Sequence, residues 1–274
     1  MRRAVVAAVV VLLLVGAITW FMRDRTRETA AVAEGLIVAL RVDGAFETTI
    51  ERGEPLLLEV FLQGRTDTAS GTFGSAATPW PRLVTLRCDP DVALGDVSML
   101  GAPRMTGVVL KGGKPSLLTG EDPAIARIDG RQRTYSVLLG IPSERTSTLP
   151  TGRRTITATV GGVASLPVSV TVTEPTAARE VERLRRSARF AVRAGKYEAG
   201  KRIAEDVLAR QPDDVAGHTT IGDALSGLGR PVEARAAYLK ALGAIRSGRQ
   251  FYEEPASIVD RIRRVEGELA ARRR

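Results

Sequence analysis

The sequence is poor in the residues that carry most enzyme chemistry. Among 274 residues there is one cysteine, Cys88, and one histidine, His218. A single thiol excludes an internal disulfide framework and a four-thiolate zinc site. A single imidazole excludes His-pair metal sites and leaves acid–base catalysis thinly supplied. Asparagine is absent, and five of the 40 basic residues are lysine, which leaves 35 arginines. With abundant Ala, Gly and Val, this is the composition of a GC-rich bacterial genome, so the arginine excess by itself is weak evidence for phosphate binding. Aromatic residues make up 4% of the chain and do not interleave with basic ones as a nucleic-acid surface requires. There is no phosphate-binding glycine loop ending in Lys-Ser/Thr, no metal-ligand spacing and no Gly-x-Ser-x-Gly. Asp213-Asp214 and Glu253-Glu254 fall at helix starts, where carboxylates complement the helix dipole. The expectation is a non-enzyme with no catalytic, cofactor-binding or metal residues and no cofactor.

What is present is a folded chain, 44% hydrophobic and 26% charged, with an uneven charge distribution. Residues 1–28 carry +3, residues 29–175 carry −1 and residues 176–274 carry +7. The break near residue 175 marks a domain boundary.

Residues 1–28 read as a membrane anchor with its flanks. Ala4 to Met22 is nineteen residues without a charge, with Leu13 near its centre and Trp20-Phe21 at its end. As a helix it spans roughly 28 Å, close to a hydrocarbon core of about 30 Å, and Trp20 and Phe21 sit where interfacial aromatics anchor. A cleaved signal peptide has a shorter apolar run and a small-residue cleavage site beside it. Here the nearest Ala-x-Ala, Ala31-Val32-Ala33, lies well past the run. An uncleaved single-pass anchor is therefore expected, with Ala4, Leu13, Trp20 and Met22 in it. Two arginines precede it and three follow, nearly a tie on the positive-inside count. The three-residue lead favours export of the bulk to the periplasmic or extracellular face, and the reversed orientation stays open.

Residues 34–174 have the short period of strands. Leu36–Val42, Pro55–Leu62, Arg82–Cys88, Gly107–Lys111, Thr134–Leu139, Arg154–Val160 and Val163–Thr173 are bounded by Gly and Pro, which argues for an antiparallel β-sandwich. The last pair turns at Gly161-Gly162, and Pro167, which cannot donate to a ladder, suits an edge or bulge. Leu149-Pro150-Thr151-Gly152 leads into this pair, and the stretch resembles the final strand pair of bacterial immunoglobulin-like domains, over about 25 residues. The segment is longer than such domains usually are. Trp80, between Pro79 and Pro81, is either an exposed contact aromatic or a plug at one end of the sandwich. Cys88 is expected to point inward.

From residue 177 the period becomes helical. Val181, Leu184, Ala188, Ala191 and Val192 trace one face; Gly195 breaks the helix, and Ala199–Arg210, Ala216–Leu228 and Val232–Ile245 follow. Two copies align with a 34-residue period, 181–214 and 215–248, with Gly195 over Gly229 and Leu208 over Leu242. The second copy has Ile221-Gly222, Gly229, Ala234, Tyr238 and Ala241-Leu242 at characteristic sites and resembles the tetratricopeptide repeat. The first departs, with Gly200 and Ala204 where a small Ala and an aromatic are usual; His218 stands where the family has Trp. A final helix at 256–272, with Ile258, Ile262, Val265 and Leu269 on one side, reads as a cap. Two units are short for a solenoid, and docking on the sandwich or self-association would supply the missing contact.

The resemblance implies a partner-binding concave face lined by the first helix of each unit, at Glu182, Arg185 and Arg189 in the first and Ala216, Thr219 and Asp223 in the second. Arg185 and Arg189 lie one turn apart and can meet one ligand, and guanidinium forks suit carboxylates. A protein partner or acidic peptide, including a C-terminal carboxylate, is the expected occupant. The alternative is a solvated helix whose arginines pair with Glu180 and Glu182. The whole chain is thus expected to be a multi-domain α and β protein: an N-terminal transmembrane helix, an Ig-like antiparallel β-sandwich, then TPR-like hairpins with a capping helix. It is expected to act as a membrane-anchored interaction or scaffold protein of the bacterial cell envelope. Adhesion or glycan binding through the sandwich is the competing expectation.

Overall fold

Alternation of buried and solvent-facing side chains builds the strands. In the computed structural model the described residues are 31–272, apart from 34, 68, 91–93, 95, 96, 112, 113, 118–123, 131, 132 and 247–254. The expected anchor, with Ala4, Leu13, Trp20 and Met22, lies outside them. Among the described residues no helix is long and apolar enough to cross a membrane.

The first sheet runs β1 (Ala31–Ala33), β2 (Leu36–Val42), β4 (Leu56–Gly64), β11 (Arg133–Ile141), β8 (Arg104–Lys111) and β9 (Lys114–Leu117), with β7 (Ser98–Met99) also on β11. In the second, β12 (Gly152–Val160) takes β6 (Val84–Asp89) on one flank and β13 (Val163–Ala164) then β14 (Val168–Thr173) on the other; β3 (Glu47–Glu51) lies beyond β14. β5 (Ser70–Phe73) and β10 (Ala126–Asp129) form a separate pair. The sheets share one core: Leu40, Leu58 and Val60 from the first meet Ile156, Val168 and Val170 from the second. Cys88 points into it, and Trp80 is fully buried.

Two expectations need correction. The sandwich is not purely antiparallel, because β3 runs parallel to β14. After β2 the chain turns at Asp43-Gly44 and changes sheets, which lays β3 beside β14 in the same direction. The last strand is not continuous either. Its register on β12 steps by one residue between β13 and β14, at Ser165–Pro167, where Ser165 replaces the missing ladder by accepting from Ala158 N at 3.0 Å and donating to Leu166 O at 2.8 Å.

Among the described residues five helices follow: α1 (Glu180–Arg193), α2 (Tyr197–Arg210), α3 (Val215–Gly227), α4 (Pro231–Arg246) and α5 (Pro255–Ala271). α1–α2 and α3–α4 are hairpins turned by Gly195 and Gly229, whose φ values of 74° and 70° lie in the left-handed region that glycine enters without steric cost. Tyr238 of α4 is buried against Gly222 of α3, where any Cβ would strike its ring. Ala234 and Ala241 are buried beside it, with Ile221 and Leu242 partly buried at the margin. α5 closes the second hairpin through Ile258, Ile262 and Val265. Replacing Tyr238 by Ala leaves a cavity between α3 and α4 and strips Asp223 of its hydroxyl partner; the expected loss is roughly 3–5 kcal/mol, measured by urea unfolding of the helical signal in circular dichroism.

Candidate partner-binding site

The helical part is joined to the sandwich by a cluster of buried carboxylates. β14 ends at Thr173 and the chain reaches α1 through Glu174–Thr176 and a turn of 3-10 helix at Ala177–Arg179. The turn between β3 and β4 receives it. The Glu51 carboxylate, with no solvent exposure, accepts from Thr176 N at 2.9 Å, Thr176 Oγ1 at 2.6 Å and Arg183 Nη1 at 2.5 Å. Glu54, also buried, accepts from Glu51 N at 3.0 Å and lies 3.6 Å from Arg179 and 3.7 Å from Arg186. Arg186 reaches Asp43 at 2.6 Å, and Arg52 pairs with Glu174. Arg179, Arg183 and Arg186 fall on one face of the turn and α1 because they are four and three residues apart. Phe190 extends that face. Its ring covers Gly140 of β11, where a Cβ would come within 2.6 Å of both the ring and Leu100 Cδ1.

Burial pushes all three carboxyls towards protonation, and the outcome depends on the donors each one meets. At Glu51 burial is opposed by the two Thr176 donors and Arg183, which hold its pKa below the ordinary range. At Asp43 burial outweighs the charges of Arg186 and Arg189 and the Leu57 backbone donor, and the pKa is raised. Glu54 is raised as well, burial outweighing the Glu51 N–H and the charges of Arg186 and Arg179.

The expected groove residues are placed unevenly. Arg185 is 12% exposed and engaged inside the helical part: it pairs with Asp214 and bonds Glu182 at 3.1 Å and Gln211 at 2.6 Å. Asp214 is buried and also caps α3, accepting from Gly217 N at 2.6 Å, so Arg185 fastens the start of α3 to α1 instead of facing a partner. Burial works against the charge of Arg185, but Asp214 and Glu182 prevail and raise its pKa. Thr219 is buried, its hydroxyl donating to Val215 O one turn back at 2.8 Å, which removes it from any surface. Asp223 accepts from Tyr238 Oη at 2.8 Å and pairs with Arg261 of α5 at 3.1 Å. Glu182 is partly exposed and pairs with Arg185 and Arg186. Ala216 is buried. Arg189 is exposed and has no ion-pair partner among the described residues. One turn on, Arg193 is in the same position; it is absent from the expected set, although its i, i+4 spacing from Arg189 signals it. Trp80, the candidate contact aromatic, is buried with its backbone N donating to Ala124 O at 2.9 Å and offers no ring to a glycan.

Among the described residues no group of three or more His, Cys, Asp or Glu is arranged to hold a metal ion. His218 bonds through Nε2 to Pro212 O at 2.9 Å, and burial pulls its pKa down. Compared with protein-family models the sequence matches none, and the curated proteins return no match.

The joint makes stability depend on pH in two opposed ways. The stabilisation from Glu51 is complete above its unfolded-state pKa and is lost as pH falls through its lower folded pKa. Asp43 and Glu54 bind protons more readily folded than unfolded, so their contribution rises as pH falls from neutrality. A plot of melting temperature against pH is expected to peak on the acid side of neutral. Glu54→Gln should flatten the neutral limb, and Glu51→Gln should lower the whole curve and remove much of the acid fall.

Proposed function

We propose that the protein is a non-enzymatic, membrane-anchored interaction platform of the bacterial cell envelope. In this reading an Ig-like sandwich carries two TPR-like repeats with a capping helix, and an exposed face of the helical part receives a partner protein. The observation that carries it is the docking of α1 on the sandwich through Arg179, Arg183, Arg186 and Phe190. A tandem of two hairpins is short for independent stability; fastened at α1 and closed by α5, it becomes a fixed support whose remaining face is free to bind. The 34-residue spacing of Gly195 and Gly229 supports the repeat, and the shared core of the two sheets supports the sandwich. The uncharged run Ala4–Met22 supports the anchor.

The full chain is expected to stay in the membrane pellet through alkaline carbonate extraction. Added protease should digest the helical part in spheroplasts and spare it in intact cells, and crosslinking in intact cells should attach it to another envelope protein. A soluble chain, or one recovered without company after crosslinking, contradicts the reading; protection in spheroplasts reverses the orientation.

A further inference from the structure

The arginines around α1 divide into two groups. Arg179, Arg183, Arg185 and Arg186 each have a carboxylate partner, at 3.6, 2.5, 3.1 and 2.6 Å respectively. Arg189 and Arg193, on the last turns of the same helix, are exposed and have none among the described residues. A third arginine without an ion-pair partner among the described residues belongs to the sandwich. Arg104 opens β8 opposite Ser136 of β11. Ser136, Leu138 and Gly140 alternate with the buried Tyr135, Val137 and Leu139, so they lie on the outer face of the sheet, and Arg104 shares that face by register. Phe190 seats on the same face at Gly140, between Arg189 and Arg193 in the helix sequence. Strand and helix thus bring three guanidinium groups to one corner.

The corner is electrostatically unfavourable when empty. Arg193 is exposed as a residue, but partial desolvation of its charged end depresses its pKa; Asp223 works against that, and Arg104, Arg261 and Arg189 add to the depression. Asp223 is itself bound to Arg261 and Tyr238. Like charges gathered around one shared carboxylate are under-compensated and destabilise the fold, and a ligand bearing negative charge would remove that penalty.

We propose that Arg104, Arg189 and Arg193 form a composite site, spanning the sandwich and the helical part, that binds an acidic segment of a partner protein with its carboxylates on the three guanidinium groups. The proposal rests on the interaction-platform reading and adds the chemistry of the partner. A peptide enters a corner between a helix and a sheet and can place Asp, Glu and apolar side chains separately, whereas a lipid headgroup layer is flat. The site exists only while α1 is held on the sandwich.

The test uses the full chain in nonionic detergent and a fluorescein-labelled twelve-residue peptide of Glu, Asp and Leu, read by fluorescence anisotropy. Binding should weaken with salt and fall at least about tenfold in the R104E/R189E/R193E variant, but persist in R263E, which reverses an exposed arginine of α5 away from the corner. Arg104→Ser alone should weaken the peptide and raise the melting temperature of the unliganded protein, a pair of effects that general loss of folding does not give. Unchanged binding in the triple variant overturns the proposal, as does binding of phosphatidylglycerol liposomes without binding of the peptide. A photoreactive residue at Ser98, an exposed position of β7 beside Gly140, separates this failure from failure of the platform reading. Crosslinking in cells to an acidic stretch of another protein supports the proposal, and crosslinking to a non-acidic stretch overturns it while leaving the platform intact. No crosslink from Ser98 or from any exposed position of the helical part overturns both.

Discussion

The buried carboxylate of Glu51 fixes the relation between the two halves of the described chain. It ends β3, just before the turn that leads from one sheet to the other, and its donors are the linker residue Thr176 and the helix residue Arg183. Sheet, linker and helix therefore converge on two oxygen atoms. Buried ion pairs add little net stability over apolar packing of the same volume, but they are directional, and every donor here must be in place before the charge is tolerated. Arg183 also donates to Thr176 O at 2.8 Å, so the same guanidinium closes the linker on itself. Phe190, two turns further along α1, adds an apolar contact at Gly140. Polar convergence at one end of the helix and ring packing towards the other resist both rotation and sliding.

This arrangement explains the uneven use of the arginines. Those facing the β3–β4 turn, and Arg185 facing Asp214, answer carboxylates inside the chain and hold it together. Near the end of α1 the internal carboxylate that acts on Arg193, Asp223, is already engaged by Arg261 and Tyr238. The helix thus changes role along its length, from a fastening at its start to an unsatisfied positive surface at its end. The sandwich contributes Arg104 at that same end, where β8 begins.

Local patterns carried much of the fold into the sequence. Short apolar runs bounded by Gly and Pro located β2, β4, β11 and β12, alternation located β6, and Gly195 and Gly229 marked the hairpin turns to within a residue or two. β3 escaped because Glu47-Thr-Thr-Ile-Glu51 has one apolar residue, and the short β5, β7 and β10 have too few positions to show a period. The site was less legible because its logic is long-range. Arg185 and Arg189 look equivalent on a helix, and what separates them is Asp214, 29 residues from Arg185. Thr219 is polar in sequence and buried in space because its hydroxyl is satisfied by the helix itself. Glu51 and Glu54 read as ordinary surface carboxylates until Thr176 and Arg183 reach the first, and Arg179 and Arg186 the second, from more than 120 positions away. Arg104 joins the corner through sheet register, which no local pattern encodes.

A fixed joint is most directly tested by a distance across it. In the full chain, with Cys88 replaced by Ala, spin labels on cysteines introduced at the exposed positions Arg87 of β6 and Lys240 of α4 report that distance by pulsed electron resonance. A single narrow distribution at neutral pH is the predicted result. A broad or multi-peaked distribution, with the helical part sampling many positions on an intact sandwich, would contradict the account.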